Sequence, residues 1–379
     1  INTRGFNNTG NIRFLQLVDG VDNQPPGLNF SVGNLFGPSE LDIESAELIP
    51  GAASALYGPI AFNGLLSMET KDPFDYEGLS FMLKSGVNHW NTSSTNPAVL
   101  SDFALRFSKA WKDKLAIKVN FQHAQGLDWF AEDNRDVSFQ TDPLLRGPFD
   151  PGKDELNTYG DEVTRNLPGI GWVSRTGYQE KELIDYNSGK IQANAAIHYR
   201  LPKNRVLIYQ FNFGQGSAGF TGSSRFSLKD YTVYNQKLEL KGDNFFFRAY
   251  AVGEDSKSTY NSRSLAQQIN RTWVRDLSGN LVARNQADQV WFQRYQAAYT
   301  GVISNLASGD HAIARTFADQ GRLIPGTESF DQAKNLITSK LGLEGAGVFT
   351  QSKIYHAEGE YDLAGKIEWI NLLVGGNYR

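Results

Sequence analysis

The sequence predicts an all-β fold, a transmembrane antiparallel β-barrel, and three observations predict it. After Pro73 apolar and polar residues alternate with period two through about nine segments, and a spanning strand needs only ~9–11 residues of which every second one must be apolar. The connections also alternate, with tight polar turns at one end of the sheet and long insertions at the other, the asymmetry of an outer-membrane barrel. No apolar run exceeds about four residues, as in Val206-Leu207-Ile208-Tyr209, against the ~20 that a spanning helix requires. Strands are therefore the only route across a membrane open to these residues.

Composition narrows the function classes. The 379 residues carry 37 Lys+Arg and 41 Asp+Glu, a net charge of −4, which leaves no basic footprint for nucleic acid. The absence of Cys excludes disulfide frameworks, thiolate zinc sites, iron–sulfur clusters and thiol catalysis. The sequence opens at Ile1 with neither a basic nor an apolar leader, so the expectation is that any targeting segment lies outside it.

Residues 1–72 are rich in Gly and small side chains. Short β-like runs at 14–18 and 65–70 flank a Pro/Gly/Asn-rich loop at 23–38, and 51–58 makes a helical turn that Pro59 stops. The strands follow. Phe103, Leu105, Phe107 and Trp111 oppose Arg106, Ser108 and Lys112; Leu115, Ile117, Val119 and Phe121 oppose Lys118, Asn120 and Gln122. Ile191, Ala193, Ala195, Ile197 and Tyr199 oppose Lys190, Gln192, Asn194, His198 and Arg200, while Leu207, Tyr209, Phe211 and Phe213 oppose Gln210 and Asn212. Tyr355, Ala357, Gly359, Tyr361 and Leu363 oppose His356, Glu358, Glu360 and Asp362. Segments 77–87, 230–240, 245–252 and 367–374 alternate less cleanly, with apolar residues on both faces. Tight turns fall at Lys112-Asp113-Lys114, Pro202-Lys203-Asn204, Lys241-Gly242-Asp243-Asn244 and Ala364-Gly365-Lys366. Long connections are expected at 88–101, 125–186, 217–229 and 256–351. A soluble β-protein with long loops is the alternative, but compact domains seldom hold structureless loops of that length. Trp111, Tyr199, Tyr209, Tyr361 and Trp369 near strand ends suit an interfacial girdle.

The first 72 residues hold a run of motifs in a fixed order: Ile1-Asn2-Thr3-Arg4-Gly5-Phe6; Gln16-Leu17-Val18-Asp19-Gly20-Val21; Ile43-Glu44-Ser45-Ala46-Glu47-Leu48-Ile49-Pro50-Gly51-Ala52-Ala53-Ser54-Ala55-Leu56-Tyr57-Gly58; and Ala61-Phe62-Asn63-Gly64-Leu65-Leu66-Ser67-Met68-Glu69-Thr70-Lys71. This run resembles the plug domain of TonB-dependent outer-membrane receptors. Asn63-Gly64 is similar to receptors of the Bacteroidota, including the SusC-like branch. The resemblance implies an α+β plug at 1–72, inside the lumen of a barrel whose N-terminal part occupies 73–379. About nine strands of a 22-stranded barrel would be present. An open sheet of that size would leave unpaired edges in lipid, so a piece of a longer chain is expected.

What the resemblance implies for function is import across the outer membrane of a siderophore, cobalamin, glycan or peptide, without covalent chemistry or a cofactor. The implied partners are the TonB energy-coupling protein, acting through a segment upstream of Ile1, membrane lipid with lipopolysaccharide, and, for the SusC-like branch, a surface lipoprotein. A scaffold role in a surface assembly is the alternative. By the same resemblance the plug apex loops place Phe6, Asn7, Asn8, Gln24, Asn29 and Phe30 where a ligand would arrive. Arg4 is the candidate to pair with wall carboxylates at Glu358 or Glu360.

Other signals are weaker. Gly214-Gln215-Gly216-Ser217-Ala218-Gly219 fits a dinucleotide pattern, but no helix follows. His356, Glu358 and Glu360 share a strand face at spacings of ~6.8 Å, too wide for one metal ion. The acidic residues of 131–162 lack calcium-loop spacing. Arg294, Arg315 and Arg322 are candidates to meet an anionic ligand or are scattered surface cations. No nucleophile elbow, H-E-x-x-H or P-loop is present, and no enzymatic activity is expected.

Overall fold

In the computed structural model the described residues are 11–28, 32, 35–88, 97–138, 147, 149–221, 225–364, 370 and 372–379. The N-terminal unit is a four-stranded sheet of β1 (Phe14–Val18), β2 (Val21–Asp22), β3 (Ile43–Pro50) and β4 (Gly64–Thr70), in the order β2-β1-β4-β3. A short helix α1 (Ser54–Tyr57) crosses between β3 and β4, and Pro59 opens the tighter turn that follows. β1 runs parallel to β4, and Leu15, Leu17, Ala61 and Leu65 pack beneath them. The β1–β2 turn needs left-handed backbone at Asp19 (φ 49°) and Gly20 (φ 73°). Glycine suits the second position because its φ lies in the left-handed region that L side chains rarely adopt, and the Arg248 guanidinium fills the space a Cβ would take.

From Gly78 the chain enters a large antiparallel sheet, here called the wall. It starts with β5 (Gly78–Asn88), β6 (Ala98–Trp111) and β7 (Leu115–Leu127). A first insert then holds β8 (Thr158–Tyr159), β9 (Thr164–Leu167), β10 (Gly171–Ser174), β11 (Tyr178–Gln179) and α2 (Glu180–Leu183). The wall resumes with β12 (Asn187–Leu201), β13 (Arg205–Thr221), β14 (Arg225–Gly242) and β15 (Phe245–Asp255). A second insert carries β16 (Tyr260–Asn261), α3 (Ser262–Asn270), α4 (Arg284–Tyr299), α5 (His311–Ala318) and α6 (Glu328–Thr338), and β17 (Lys353–Asp362) and β18 (Leu373–Tyr378) complete the wall. Wall strands neighbour one another in chain order from β5 to β18, and β16 pairs with the top of β14. Among the described residues β5 and β18 are the two edges.

The wall is inside-out relative to a water-soluble sheet. Its exposed face is apolar, with Phe103, Phe107, Val119, Phe121, Ile197, Leu207, Tyr209 and Phe211 open to the surroundings. Its buried face is polar, with Arg106, Lys118, Asn120, Gln122, Gln192, Gln210, Asn235 and Lys237 packed toward the N-terminal unit. The period of two assigns each residue to its side. At the trimmed end, Lys112-Asp113 and Lys203-Asn204 take left-handed φ values (51°, 47°; 66°, 52°) within the three-residue turns that join Trp111 to Leu115 and Leu201 to Arg205.

The structure corrects the pattern reading in three places. The expected loop at 217–229 is mostly strand, because β13 runs to Thr221 and β14 starts at Arg225. A register shift between Gly216 and Ala218 and the left-handed Asp230 (φ 55°) break the alternation there. The last described strand, Leu373–Tyr378, runs past the expected end at 374, while residues 367–369 and 371 of the expected 367–374 segment, Trp369 among them, fall outside the described residues.

The third correction is the largest, since the two long connections are one folded body. One core joins Tyr159, Tyr178 and Leu183 of the first insert to Leu265, Ile269, Phe330 and Ile337 of the second. Another joins Leu167 and Val173 to Trp273, Trp291, Tyr295 and Ala314. The helices have ordinary local causes. Asn261, Asp310 and Thr327 cap α3, α5 and α6 by accepting from backbone N–H groups of the first turn. Trp291, Tyr295 and Ala298 recur at helical spacing on α4, all buried.

Candidate functional site

The N-terminal unit meets the polar face of the wall at two levels. At the lower level Asp42 is buried, its Oδ1 accepting from Arg106 Nε at 2.8 Å and its Oδ2 from Lys118 Nζ at 2.9 Å and Asn120 Nδ2 at 3.0 Å. Lys118 also donates to Thr70 Oγ1 (2.6 Å) and the Lys71 carbonyl (2.9 Å), so one lysine pins β4 and the segment before β3 to β7. Asp19 accepts from Thr70 N (2.8 Å), Thr70 Oγ1 (2.7 Å) and wall Gln210 Nε2 (3.0 Å), while Lys237 Nζ donates to the Asp19 carbonyl at 3.0 Å. Burial alone would raise the Asp19 carboxyl, but Lys237, Lys118 and the Thr70 bonds together hold it below the usual carboxylate range. Asp22 behaves oppositely: burial pushes it up despite Arg379 at 3.0 Å.

Between the levels the wall presents amides. Asn120, Asn194, Asn212 and Asn235 lie directly opposite one another across β7, β12, β13 and β14, and each donates to the next, Asn120 to Asn194 at 2.8 Å and Asn212 to Asn235 at 2.7 Å. A cavity of about 40 Å³ is lined by this ladder together with Asp42 and Ser39, enough for a water. Asn120 Oδ1 and Gln122 Oε1 are buried there without a protein partner.

At the upper level contacts are neutral or made by a lone carboxylate. Gln192 Nε2 donates to the Leu35 carbonyl at 2.9 Å, and Phe36 packs on Tyr231 with ring centres 5.6 Å apart. Gly214 and Gly216 of β13 leave the room that Phe36 and Leu35 occupy. Gly27 N donates to Glu254 Oε1 at 2.7 Å, and Tyr231 Oη donates to Glu254 Oε2 at 2.6 Å.

Of the residues singled out in the sequence, Arg4, Phe6, Asn7, Asn8, Asn29 and Phe30 lie outside the described residues. Gln24 is buried, with Nε2 donating to the Phe14 carbonyl at 2.5 Å. Glu358 accepts from Arg248 of the neighbouring wall strand at 2.9 Å, and among the described residues no cation bridges Glu360. His356 stacks on Tyr250 at 4.8 Å, and no group of three metal-ligating side chains stands together among the described residues. The glycine-rich 214–219 stretch is part of β13. The arginines of the second insert serve its fold rather than standing as surface cations: Arg294 donates to the Asp276 and Phe317 carbonyls, Arg315 to those of Ser174 and Pro151, and Arg322 to that of Gly177. Asp161, buried in the first insert, is pushed up to about 8, chiefly by burial and then by neighbouring Asp154 and Glu162.

Sequence reasoning missed Asp42, Arg106, Lys118, Lys237 and Glu254 as contact residues. Lys118 was legible as a polar-face residue, but its partner Asp42 is 76 positions away and no local pattern joins them.

No family model and no curated protein matches the chain. Solved structures do. A mutant of the ferric enterobactin receptor PfeA from Pseudomonas aeruginosa aligns with 98% of this chain and 41% of its own at 15% identity and a TM-score of 0.44. The siderophore receptor PirA from the same organism aligns with 96% and 40% at 12% identity and a TM-score of 0.40. The ferric yersiniabactin uptake receptor FyuA from Yersinia pestis aligns with 66% and 40% at 13% identity and a TM-score of 0.35. The chain thus spans about two-fifths of the length of these receptors.

Proposed function

We propose that this chain is the plug and first barrel strands of a TonB-dependent outer-membrane importer, with 1–72 as the plug and 73–379 as the N-terminal part of the barrel. The observation that carries the reading is the inverted wall, apolar where exposed and polar where it meets the N-terminal unit. A water-soluble sheet exposing Phe103, Val119, Phe121 and Ile197 together would aggregate, whereas lipid is their matching solvent. The trimmed turns then face the periplasm, and the folded insert body stands outside the cell.

The motifs of the first 72 residues support the coupling partner, TonB, which would act on the plug from the periplasm. Lipid and lipopolysaccharide would surround the outer face. The Asn63-Gly64 pair supports a SusC-like partnership with a surface lipoprotein above the insert body. The ion pairs of Asp42 with wall Arg106 and Lys118, and the bond from Lys237 to the Asp19 carbonyl, support a gate that is held shut and released, with no bond of the ligand made or broken. The ligand is proposed from the class of siderophores, cobalamin, glycans and peptides.

Uptake tests the reading. Cells carrying the receptor are given radiolabelled members of that class, with TonB intact or deleted. Accumulation of one of them that disappears without TonB is the expected result, and TonB-independent accumulation would overturn the energy-coupled part.

A further inference from the structure

We propose that Glu254 is the positioning residue that holds Gly27 of the plug against the wall and ties it to the strap leaving the insert body; this rests on the importer reading. The two levels of plug contact differ in kind. Asp42 is compensated by two cations, Arg106 and Lys118. Glu254 is equally buried, yet among the described residues no Lys, Arg or His forms an ion pair with it. Its oxygens are divided between the Gly27 amide of the plug and the Tyr231 hydroxyl of the wall. A buried carboxylate held only by neutral donors depends on every one of them, because losing a donor leaves an oxygen facing nothing. Withdrawing Gly27 therefore destabilises the docked arrangement abruptly.

The same residue joins the insert body through its backbone. Glu254 N donates to the Ser352 carbonyl at 3.0 Å, Ser256 N to the Thr350 carbonyl at 3.0 Å, and Thr350 N to Ser256 Oγ at 2.8 Å. The strap containing these residues leaves the core at Ala346 and becomes β17 at Lys353. Plug, wall and strap meet at one point: a Cβ on Gly27 would collide with Glu254 Oε1 and stand 3.3 Å from Thr350 Cβ. A ligand that moves the strap displaces Ser352 and Thr350 first, Glu254 next and the Gly27 amide last. The insert body thereby controls the upper plug contact, while the ionic contacts around Asp42 stay in place.

Hydrogen-exchange mass spectrometry on the complete receptor in nanodiscs tests this with Glu254→Ala, Glu254→Gln, Gly27→Ala and Ser256→Ala. Loss of the carboxylate or crowding at Gly27 is expected to speed exchange of the peptide holding Gly27 about tenfold, the scale of one lost hydrogen bond. The peptide holding Asp42 should not change. Glu254→Gln retains an acceptor and should restore most of the protection, and Ser256→Ala should give a smaller increase at Gly27. Unchanged exchange in Glu254→Ala overturns the latch. Acceleration at Asp42 as well overturns its local character, and a silent Ser256→Ala overturns the link to the insert body. Single-channel conductance in planar bilayers supplies the functional arm. More frequent openings in Glu254→Ala are expected, and faster exchange at Gly27 without them would remove the gating role. Exchange reads the contact whatever the protein transports, so failure of the importer reading in uptake assays would be distinguishable from failure of the latch.

Discussion

The wall and the insert body are built from one chain by opposite rules. In the wall Lys118 and Asn120 are buried while Val119 between them is exposed; in the insert body Trp291, Tyr295 and Ile269 are buried, and the polar groups buried with them, such as Arg175 and Arg294, are hydrogen-bonded inside it. Exposure alone therefore says nothing about preference; the solvent on each side does. The wall derives its order from the strand ladder and from polar pairing on its inner face, whereas the insert body derives it from apolar burial, helix caps and arginines that collect carbonyl oxygens.

The largest expected break in this comparison is Trp291→Ala. Trp291 is fully buried, its Nε1 donates to Asp319 Oδ1 at 2.9 Å, and the guanidinium of Arg175 lies 5.4 Å from its ring. Large-to-small substitution of a buried Trp costs about 3–5 kcal/mol. The insert body should become sensitive to limited proteolysis while the wall keeps its strand signal by circular dichroism. Simultaneous loss of both would mean that they are one cooperative unit.

Val119→Lys is expected to cost slightly less and to act only on the wall. On the importer reading Val119 lies at mid-height of the lipid-facing band on β7, and a cation at that depth of a barrel costs about 2–4 kcal/mol. Folding into lipid vesicles, followed by heat-modifiable gel mobility, measures it. A shift below about 0.5 kcal/mol, the range of ordinary surface changes, would show that water and not lipid lies against that face.

Asp161 separates the two regions by pH. Its folded pKa of about 8 is above the ordinary carboxylate value, so the folded insert holds a proton that the unfolded chain has released. The associated stability is complete below about pH 4 and declines as pH rises toward about 8, by at most ~1.4 kcal/mol per unit. Thermal unfolding of the insert body should fall from about pH 6 to about pH 8, and Asp161→Asn should flatten that slope. An identical slope in the variant would assign the dependence to other groups.

How much was legible follows the same division. Strand faces such as Phe103 to Trp111 depend on a local period, and the sequence shows it without reference to any partner. The helices of the second insert were hidden because a search for alternation passes over a repeat of 3.6. On α4 Phe292 is buried beside Trp291 and Tyr295, so the apolar residues do not form one clean stripe. The contacts between the N-terminal unit and the wall were hidden for another reason: Asp42 meets Arg106 and Lys118, 64 and 76 positions further along the chain, only once the intervening residues are folded into a sheet. The tall β13–β14 hairpin was lost where Asp230 turns left-handed and moves the chain to the other face.

The smallest expected effect is the sharpest control. Leu343 is 95% exposed and Val119 44%, so an argument from exposure ranks Leu343 as the greater liability. The comparison of regions reverses that order. Leu343 stands on a turn of the insert body, where its carbonyl accepts from Gln268 and its side chain faces water. Leu343→Lys should therefore leave stability within about 0.5 kcal/mol, as surface changes do, because the side chain is already hydrated and the backbone bond survives. Val119→Lys, at the less exposed position, should cost several times more. Equal responses of the two variants in the same vesicle-folding measurement would place both side chains in one environment, and the division between wall and insert body would then fail as a physical description.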